Sequence, residues 1–362
     1  MKKPALFATL LLIILLLGCQ STPAASPTPP ATETAVSPQP TATIDPIPTL
    51  NAQAFAANQQ LGRGVNLGNA LDAPSEGAWG LYLQEQYFAD IAEAGFDHVR
   101  VPIRWTAYAS LEPPYTIKPR IFKRIDWVIE QAFAHDLAVV IDVHHFEAIM
   151  QQPESQAERL AGIWQQIADH YKDYPNTLYF EILNEPNENL DSETWNTIFP
   201  QALAAIRQTN PDRYVIIGPD MWNNVGRLST LELPADDRHL IVTFHYYSPH
   251  EFTHQGAPWS SSFDVKDLPW GSEADVKALQ ADFDAAQAWA EAEQRPLYIG
   301  EFGVYSQAPE ASRILWLAAV REEAEKRGFS WAVWDFGTDF AIYTLHSREW
   351  KEPLLRALIP ES

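Results

Sequence analysis

Between residues 61 and 340 the chain repeats one unit: a short run rich in β-branched and aromatic residues, then a longer stretch with helical spacing of its apolar positions. The short runs lie at 64–67, 98–103, 138–143, 178–183, 214–217, 240–246, 297–300 and 329–333. Helices are expected at 84–94, 120–134, 155–171, 192–209, 275–293 and 309–327, with a weaker one at 223–231 and a closing one after 352. Near-continuous apolar strands separated by helices imply a parallel sheet covered on both faces. Eight such units in about 300 residues are the size of an α/β (β/α)8 TIM barrel, a single catalytic-type domain at 51–362. An open doubly wound sheet is the alternative. It fits less well because nearly every run delivers polar residues at its C-terminal end, and a barrel gathers those ends on one face.

Two of the runs end in a carboxylate. Leu178-Tyr179-Phe180-Glu181-Ile182-Leu183 leads into Asn184-Glu185-Pro186, and Leu297-Tyr298-Ile299-Gly300 leads into Glu301-Phe302-Gly303. Apolar surroundings raise a carboxyl pKa, and an acid kept protonated near neutrality can donate a proton. A pair of carboxylates at two strand ends suggests the acid and the nucleophile of a glycosidase. In Val99-Arg100-Val101 the alternation turns Arg100 away from its neighbours, into the barrel. An inward arginine is costly unless paired, and Glu301, which as nucleophile must stay charged, is the expected partner.

The other strand ends carry sugar-binding chemistry. Asp142-Val143-His144-His145 places His144 deeper and His145 in the following loop, as hydrogen-bonding groups for hydroxyls. Adjacent strand residues face opposite sides, so the two serve one metal only if the strand has already broken; no metal and no cofactor is expected. His245 and Tyr247 share a face at i and i+2, with His245 near Glu185 and the Tyr247 hydroxyl directed at Glu301. Asn184 is placed to bond the 2-hydroxyl of the sugar being cleaved. Trp334, after the last run, is a floor for a pyranose ring, and Trp222 is a second stacking candidate. The segment 248–271 is long for a βα loop and carries His254, Trp259 and Trp270, as one wall of a cleft does.

Taken together, Arg100, His144, Asn184-Glu185-Pro186, His245 with Tyr247, Gly300-Glu301-Phe302-Gly303 and Trp334 resemble the signature of the family 5 glycoside hydrolases, the cellulase family. That resemblance implies a retaining double displacement with Glu185 as acid/base and Glu301 as nucleophile. The stretches 68–74, 76–80, 144–147 and 252–256 are similar to bacterial endo-β-1,4-glucanases of a group that also cleaves β-mannans. By that similarity Asn69, Asp72, His145, His254 and Trp259 line the substrate cleft. Asp72 and Asp335 stand where a glutamate is expected, so the differences fall on subsite contacts and leave the chemistry alone.

A formal net charge of −22 repels nucleic acid and anionic membrane surfaces but not neutral sugars. A lipid-anchored sugar-binding protein and a barrel metal hydrolase are the other classes weighed. The first needs no paired buried carboxylates, and loss of activity in chelator would support the second. Residues 1–19, Met1-Lys2-Lys3 followed by an apolar run ending Leu16-Leu17-Gly18-Cys19, read as a lipoprotein signal peptide with a lipobox, Cys19 being the lipidated residue. Residues 20–50, rich in Ser, Thr, Pro and Ala, read as a disordered spacer. The expected location is the cell envelope, exported and facing outside or the periplasm. A monomer is expected, acting on a polysaccharide or oligosaccharide and touching the membrane only through its anchor.

Overall fold

The computed structural model describes residues 47–361. Eight parallel strands, β1 (Arg63–Asn66), β2 (His98–Val101), β3 (Ala138–Asp142), β4 (Leu178–Glu181), β5 (Val215–Ile217), β6 (Leu240–Tyr246), β7 (Leu297–Phe302) and β8 (Ser330–Val333), pair in sequence order. Hydrogen bonding of β1 to β8 closes the barrel and excludes the open sheet. The helices expected from the sequence occupy the connections, as Pro119–Ala134 illustrates. A proline opens that helix where its missing N–H costs nothing, and Ile121, Ile125, Val128, Ile129 and Ala132 form one buried stripe.

Alternation along the strands divides the side chains into two sets. Val65, Val99, Val101, Val139, Ile141, Phe180, Val215 and Ile299 point outward into one continuous apolar layer beneath the helices. The inward set is apolar at one end only: Val140, Tyr179, Ile216, Ile241, Tyr298 and Ala332 fill the N-terminal half of the barrel. Above them the inward positions become Asn66, Arg100, Asp142, Glu181 and Thr243, all buried.

The floor is closed by a helix that the sequence reading did not anticipate. Helix α1 (Ile47–Leu61) begins inside the stretch read as spacer, and Ala57 and Leu61 complete the inner apolar cluster. Half of its apolar positions are alanines and Phe55 is exposed, so its periodicity is faint in a run of Ala, Gln and Asn. Specific bonds hold it: Tyr179 donates its hydroxyl to Ala57 O at 2.9 Å, and Asn58 Nδ2 donates to Leu297 O at 2.9 Å. The segments read as signal peptide, lipobox with Cys19 and most of the spacer lie outside the described residues.

The helix expected at 223–231 is instead a 3-10 turn, Val225–Thr230, in which the Asn224 side chain accepts from the Gly226 N–H. Met221, Trp222 and Asn223 precede it with φ of 56°, 59° and 53°, a left-handed run that no α-helix continues. A small antiparallel ribbon, Tyr343–Thr344 with Glu349–Trp350, also went unread, since two-residue strands carry no period.

Candidate active site

Arg100 organises the C-terminal mouth. Its guanidinium is fully buried and forks onto Glu181, Nε to Oε2 at 2.7 Å and Nη2 to Oε1 at 2.9 Å. Nη1 donates to Glu301 Oε1 at 2.7 Å and Asn66 Oδ1 at 2.9 Å. Nη2 also reaches Asp142 Oδ2 at 2.9 Å and Asn184 Oδ1 at 2.8 Å. Glu301 is therefore one of three carboxylate partners, not the sole one expected. Only a planar five-donor cation serves so many acceptors at once. Alternation applied to β3 and β4 would have found the other two, because Asp142 and Glu181 are paired neighbours on the inward face.

Local irregularities aim the remaining groups. The pairing of β6 with β7 slips between Phe244 and His245, and that of β7 with β8 slips between Ile299 and Phe302. Such bulges redirect side chains beside active sites. Gly300 makes room: a Cβ there would lie 2.7 Å from Thr243 Oγ1 and 2.9 Å from His245 Nε2. Glu185 itself has φ 48°, an uncommon conformation for a side-chain-bearing residue, adopted as the chain leaves β4.

These devices bring Glu185 and Glu301 together around His245. Each of the three offers one donor atom, all within 4.8 Å of one another. His245 Nδ1 lies 2.8 Å from Glu185 Oε1 and 3.6 Å from Glu301 Oε2. Asn223, which the sequence reading missed, donates its Nδ2 to His245 Nε2 at 3.2 Å. That bond assigns the proton to Nδ1, so the imidazole donates toward the carboxylates. Tyr247 donates to Glu301 Oε2 at 3.0 Å.

Burial raises both carboxyl pKa values by different balances. Glu185 is pushed up to about 7 by desolvation, which Arg100 opposes and the charges of Glu181 and Asp142 reinforce. Glu301 is also raised by burial, but His245, Arg100 and the Tyr247 hydroxyl all favour its ionised form. Desolvation lowers the pKa of His144 and of His245, leaving both imidazoles neutral. His144 donates its Nδ1–H to Asp142 Oδ2 at 2.6 Å, which leaves Nε2 as the acceptor nitrogen of the ring.

Ring contacts continue outward on two sides. Trp334 is half-buried and stacks parallel to His144, centroids 6.0 Å apart, over Gly68, where a Cβ would meet the indole at 2.6 Å. His144 meets His145, and His145 meets the edge of Trp79 at 5.5 Å, a tryptophan not singled out in the sequence. Opposite, Tyr247 touches His254 and Phe340; Phe340 touches Tyr305, and Tyr305 meets Trp259. Trp222 is half exposed, and its backbone N–H donates to Pro186 O at 3.1 Å, directly after Glu185.

Two residues expected to line the cleft make contacts within the protein. Asp72 is fully buried, tucked beneath His145 with Oδ2 3.8 Å from Nε2. Asn69 commits its amide to Thr338 Oγ1 at 2.6 Å, and that hydroxyl in turn bonds Asp335. Asp335 is buried and has no cationic partner within ion-pair distance among the described residues; burial lifts it to about 6, against bonds from Thr338. An acid raised in the fold costs stability as pH climbs from its unfolded pKa through its folded one. Between about pH 4 and 6 Asp335 should cost on the order of 3 kcal/mol. Denaturant titrations at several pH values should show Asp335→Asn flattening that slope.

The cellulase model, glycosyl hydrolase family 5, matches residues 59–339. The chain belongs to glycosyl hydrolase family 5. Among its relatives, endoglucanase H of Acetivibrio thermocellus is 36% identical over 311 residues, 84% of this chain. The chain spans about a third of that relative's length, 33%. Thermotoga maritima Cel5A in complex with mannotriose substrate is 47% identical, with a TM-score of 0.84 over 84% of this chain and 100% of that one. A Cel5A structure with cellobiose is 48% identical at the same TM-score and the same coverage of both chains.

Proposed function

We propose that this family 5 chain is a retaining, endo-acting hydrolase of β-1,4-linked polysaccharide, with glucan as main substrate and mannan or glucomannan as a second. The observation that carries the mechanism is the pair of carboxyls. One oxygen of Glu185 and one of Glu301 lie within 4.8 Å, which supports the close pair of a retaining enzyme, about 5–5.5 Å, over the about 6.5–9.5 Å that an inverting enzyme keeps open for water. Glu301 attacks the anomeric carbon while Glu185 protonates the leaving oxygen; Glu185 then takes a proton from water as the glycosyl ester is hydrolysed. Arg100, Tyr247 and His245 hold the nucleophile, and the Asn184 amide N–H2, whose oxygen already accepts from Arg100, faces the sugar 2-hydroxyl. His144, His145, His254, Trp222, Trp259 and Trp334 supply the sugar contacts.

The relatives support the substrate class. One is named an endoglucanase, and Cel5A has been solved with both mannotriose and cellobiose. Hydrolysis of a panel of β-1,4-glucan, mixed-linkage glucan, mannan and xyloglucan, with product sizing, tests the proposal. Internal cuts in glucan are the expected result, and products released only from chain ends would end the endo assignment. NMR of the first product should show the β anomer.

Turnover needs Glu185 protonated and Glu301 ionised, so kcat/KM should fall on both sides of a maximum. The alkaline limb is expected near pH 7, as Glu185 loses its proton. Glu185→Ala, assayed on an aryl glycoside whose leaving group needs no protonation, should lack that limb.

Export, lipidation at Cys19 and a spacer from residue 20 up to the start of helix α1 at Ile47 complete the proposal, on the N-terminal sequence alone. Uptake of a labelled fatty-acid precursor by the wild type and not by Cys19→Ala is the test.

A further inference from the structure

His245, near the end of β6, stands between the two carboxyls, and burial keeps its imidazole neutral. A neutral imidazole carries its proton on one of two nitrogens, and the surroundings decide which. Glu185 and Glu301 lie 2.8 and 3.6 Å from Nδ1, and a carboxyl can accept from that nitrogen or, when protonated, donate to it. Tyr247 gives its hydroxyl to Glu301, while Arg100, Asp142 and Glu181 act on the ring through their charge. His144 is itself neutral. The choice falls to the far side of the ring, where Asn223 Nδ2 lies 3.2 Å from Nε2. An amide NH2 donates and cannot accept, so it admits only the ring that has its lone pair on Nε2.

The backbone around Asn223 is shaped for this contact. Asn223 is fully buried and is the third residue of the left-handed run, with φ 53°. The run is fastened on both sides: the Trp222 backbone N–H bonds Pro186 O, and Asn224 forms a parallel bridge to His245 itself. Gly218 leaves the amide its seat, since a Cβ there would lie 2.2 Å from Asn223 Oδ1. That oxygen makes no hydrogen bond among the described residues. A buried amide that strands its own oxygen is costly, so its place here is not explained by stability.

We propose that Asn223 is a positioning residue that locks His245 as an Nδ1–H donor and so keeps the acidic proton of Glu185 on Oε2. The inference rests on Glu185 being the acid/base of the hydrolysis proposed above. With Nδ1–H donated to Glu185 Oε1 at 2.8 Å, a proton taken up by Glu185 goes to its other oxygen, and from there to the leaving group. In the opposite tautomer the ring proton sits on Nε2 and Nδ1 holds a lone pair. Glu185 then carries its proton on Oε1 and donates it to Nδ1, which keeps the acid protonated yet withholds the proton from the sugar. Both arrangements hold the same number of protons, so the lock governs placement and not charge. Because Nδ1–H also favours the ionised carboxyl, the lock keeps the alkaline limb of the rate profile from drifting upward.

Nitrogen-15 NMR of the histidine-labelled full chain reads the ring proton directly, with the His245 signals assigned by their loss in His245→Asn. The wild type is expected to be protonated at Nδ1. Asn223→Gly, at a φ that glycine adopts freely, should mix in the Nε2–H form. It should lower kcat/KM on an unactivated β-1,4-linked oligosaccharide about tenfold, the weight of one buried hydrogen bond. The loss should be much smaller on an aryl glycoside whose leaving group needs no protonation. Its alkaline limb should move upward by up to about one pH unit, the same factor of ten read as a pKa. Asn223→Asp has nearly the same shape but offers Nε2–H an acceptor, so it should show protonated Nε2 and lose more on the oligosaccharide than the glycine variant. A wild-type ring protonated at Nε2 would overturn the lock. So would an Asn223→Gly enzyme that loses both substrates alike with its alkaline limb unmoved, or an Asn223→Asp enzyme as active as the wild type. The tautomer is read without substrate, so a chain with the expected ring proton that cleaves no glycoside would count against the hydrolase reading and leave the lock in place.

Discussion

Replacing Glu301 by alanine is expected to lower kcat on the order of 10⁴-fold or more, the scale on which enzymes lose rate when a nucleophile that works as a unit with its neighbours is removed. The side chain sits at the convergence of Arg100, His245 and Tyr247, all of which favour its charged form. None of them can replace it as the group that bonds to carbon. Circular dichroism and thermal melting should show a folded protein, since the substitution takes away a buried charge whose pKa burial already raises. Near-normal turnover of a folded Glu301→Ala enzyme would end the mechanism proposed above. Added azide should restore part of the rate by filling the emptied space, giving a glycosyl azide of inverted configuration that NMR can identify.

Arg100→Met should produce the largest loss of stability. Removing one partner of a buried ion pair typically costs about 3–5 kcal/mol, because the other charge is left without compensation. Here three carboxylates, Asp142, Glu181 and Glu301, lose their shared cation together. The sign of the pH dependence follows. Without the arginine the folded-state pKa values of Asp142 and Glu301, which burial raises and Arg100 lowers, rise further, so stability is lost as pH climbs through them and partly regained near pH 5, where they take up protons. Urea denaturation of wild type and variant at pH 5 and pH 7.5 measures this directly; a deficit equal at both values would contradict it. Arg100→Lys keeps the charge but not the fork, and should recover part of the stability. In any variant retaining activity, the acidic limb of the rate profile should move upward, because Arg100 lowers the pKa of Glu301.

Much of this site was legible before any coordinates. Glu185 and Glu301 announced themselves by ending apolar runs, and the alternation around Arg100 placed a cation inside the barrel. The same rule, carried to Asp142 and Glu181, would have disclosed the full charged layer. Asn223 gave no such signal, because its contact with His245 depends on three successive left-handed residues that no pattern encodes. Asp72 was expected on the cleft surface from similarity alone, and the structure buries it.

The order of short apolar runs and amphipathic helices, taken alone, determined the eightfold barrel and the end at which polar groups collect. Both are consequences of local periodicity, which lies within a few residues of chain. What only the tertiary structure decided are the relations between distant segments. Helix α1 closes the floor, Arg100 is divided among three acids, and backbone turns at His145 and Glu185 set where their side chains reach. The physical reason is that a pKa near 7 or a shared guanidinium arises from desolvation and from charges brought together across the barrel, and neither exists until the ring of strands has closed.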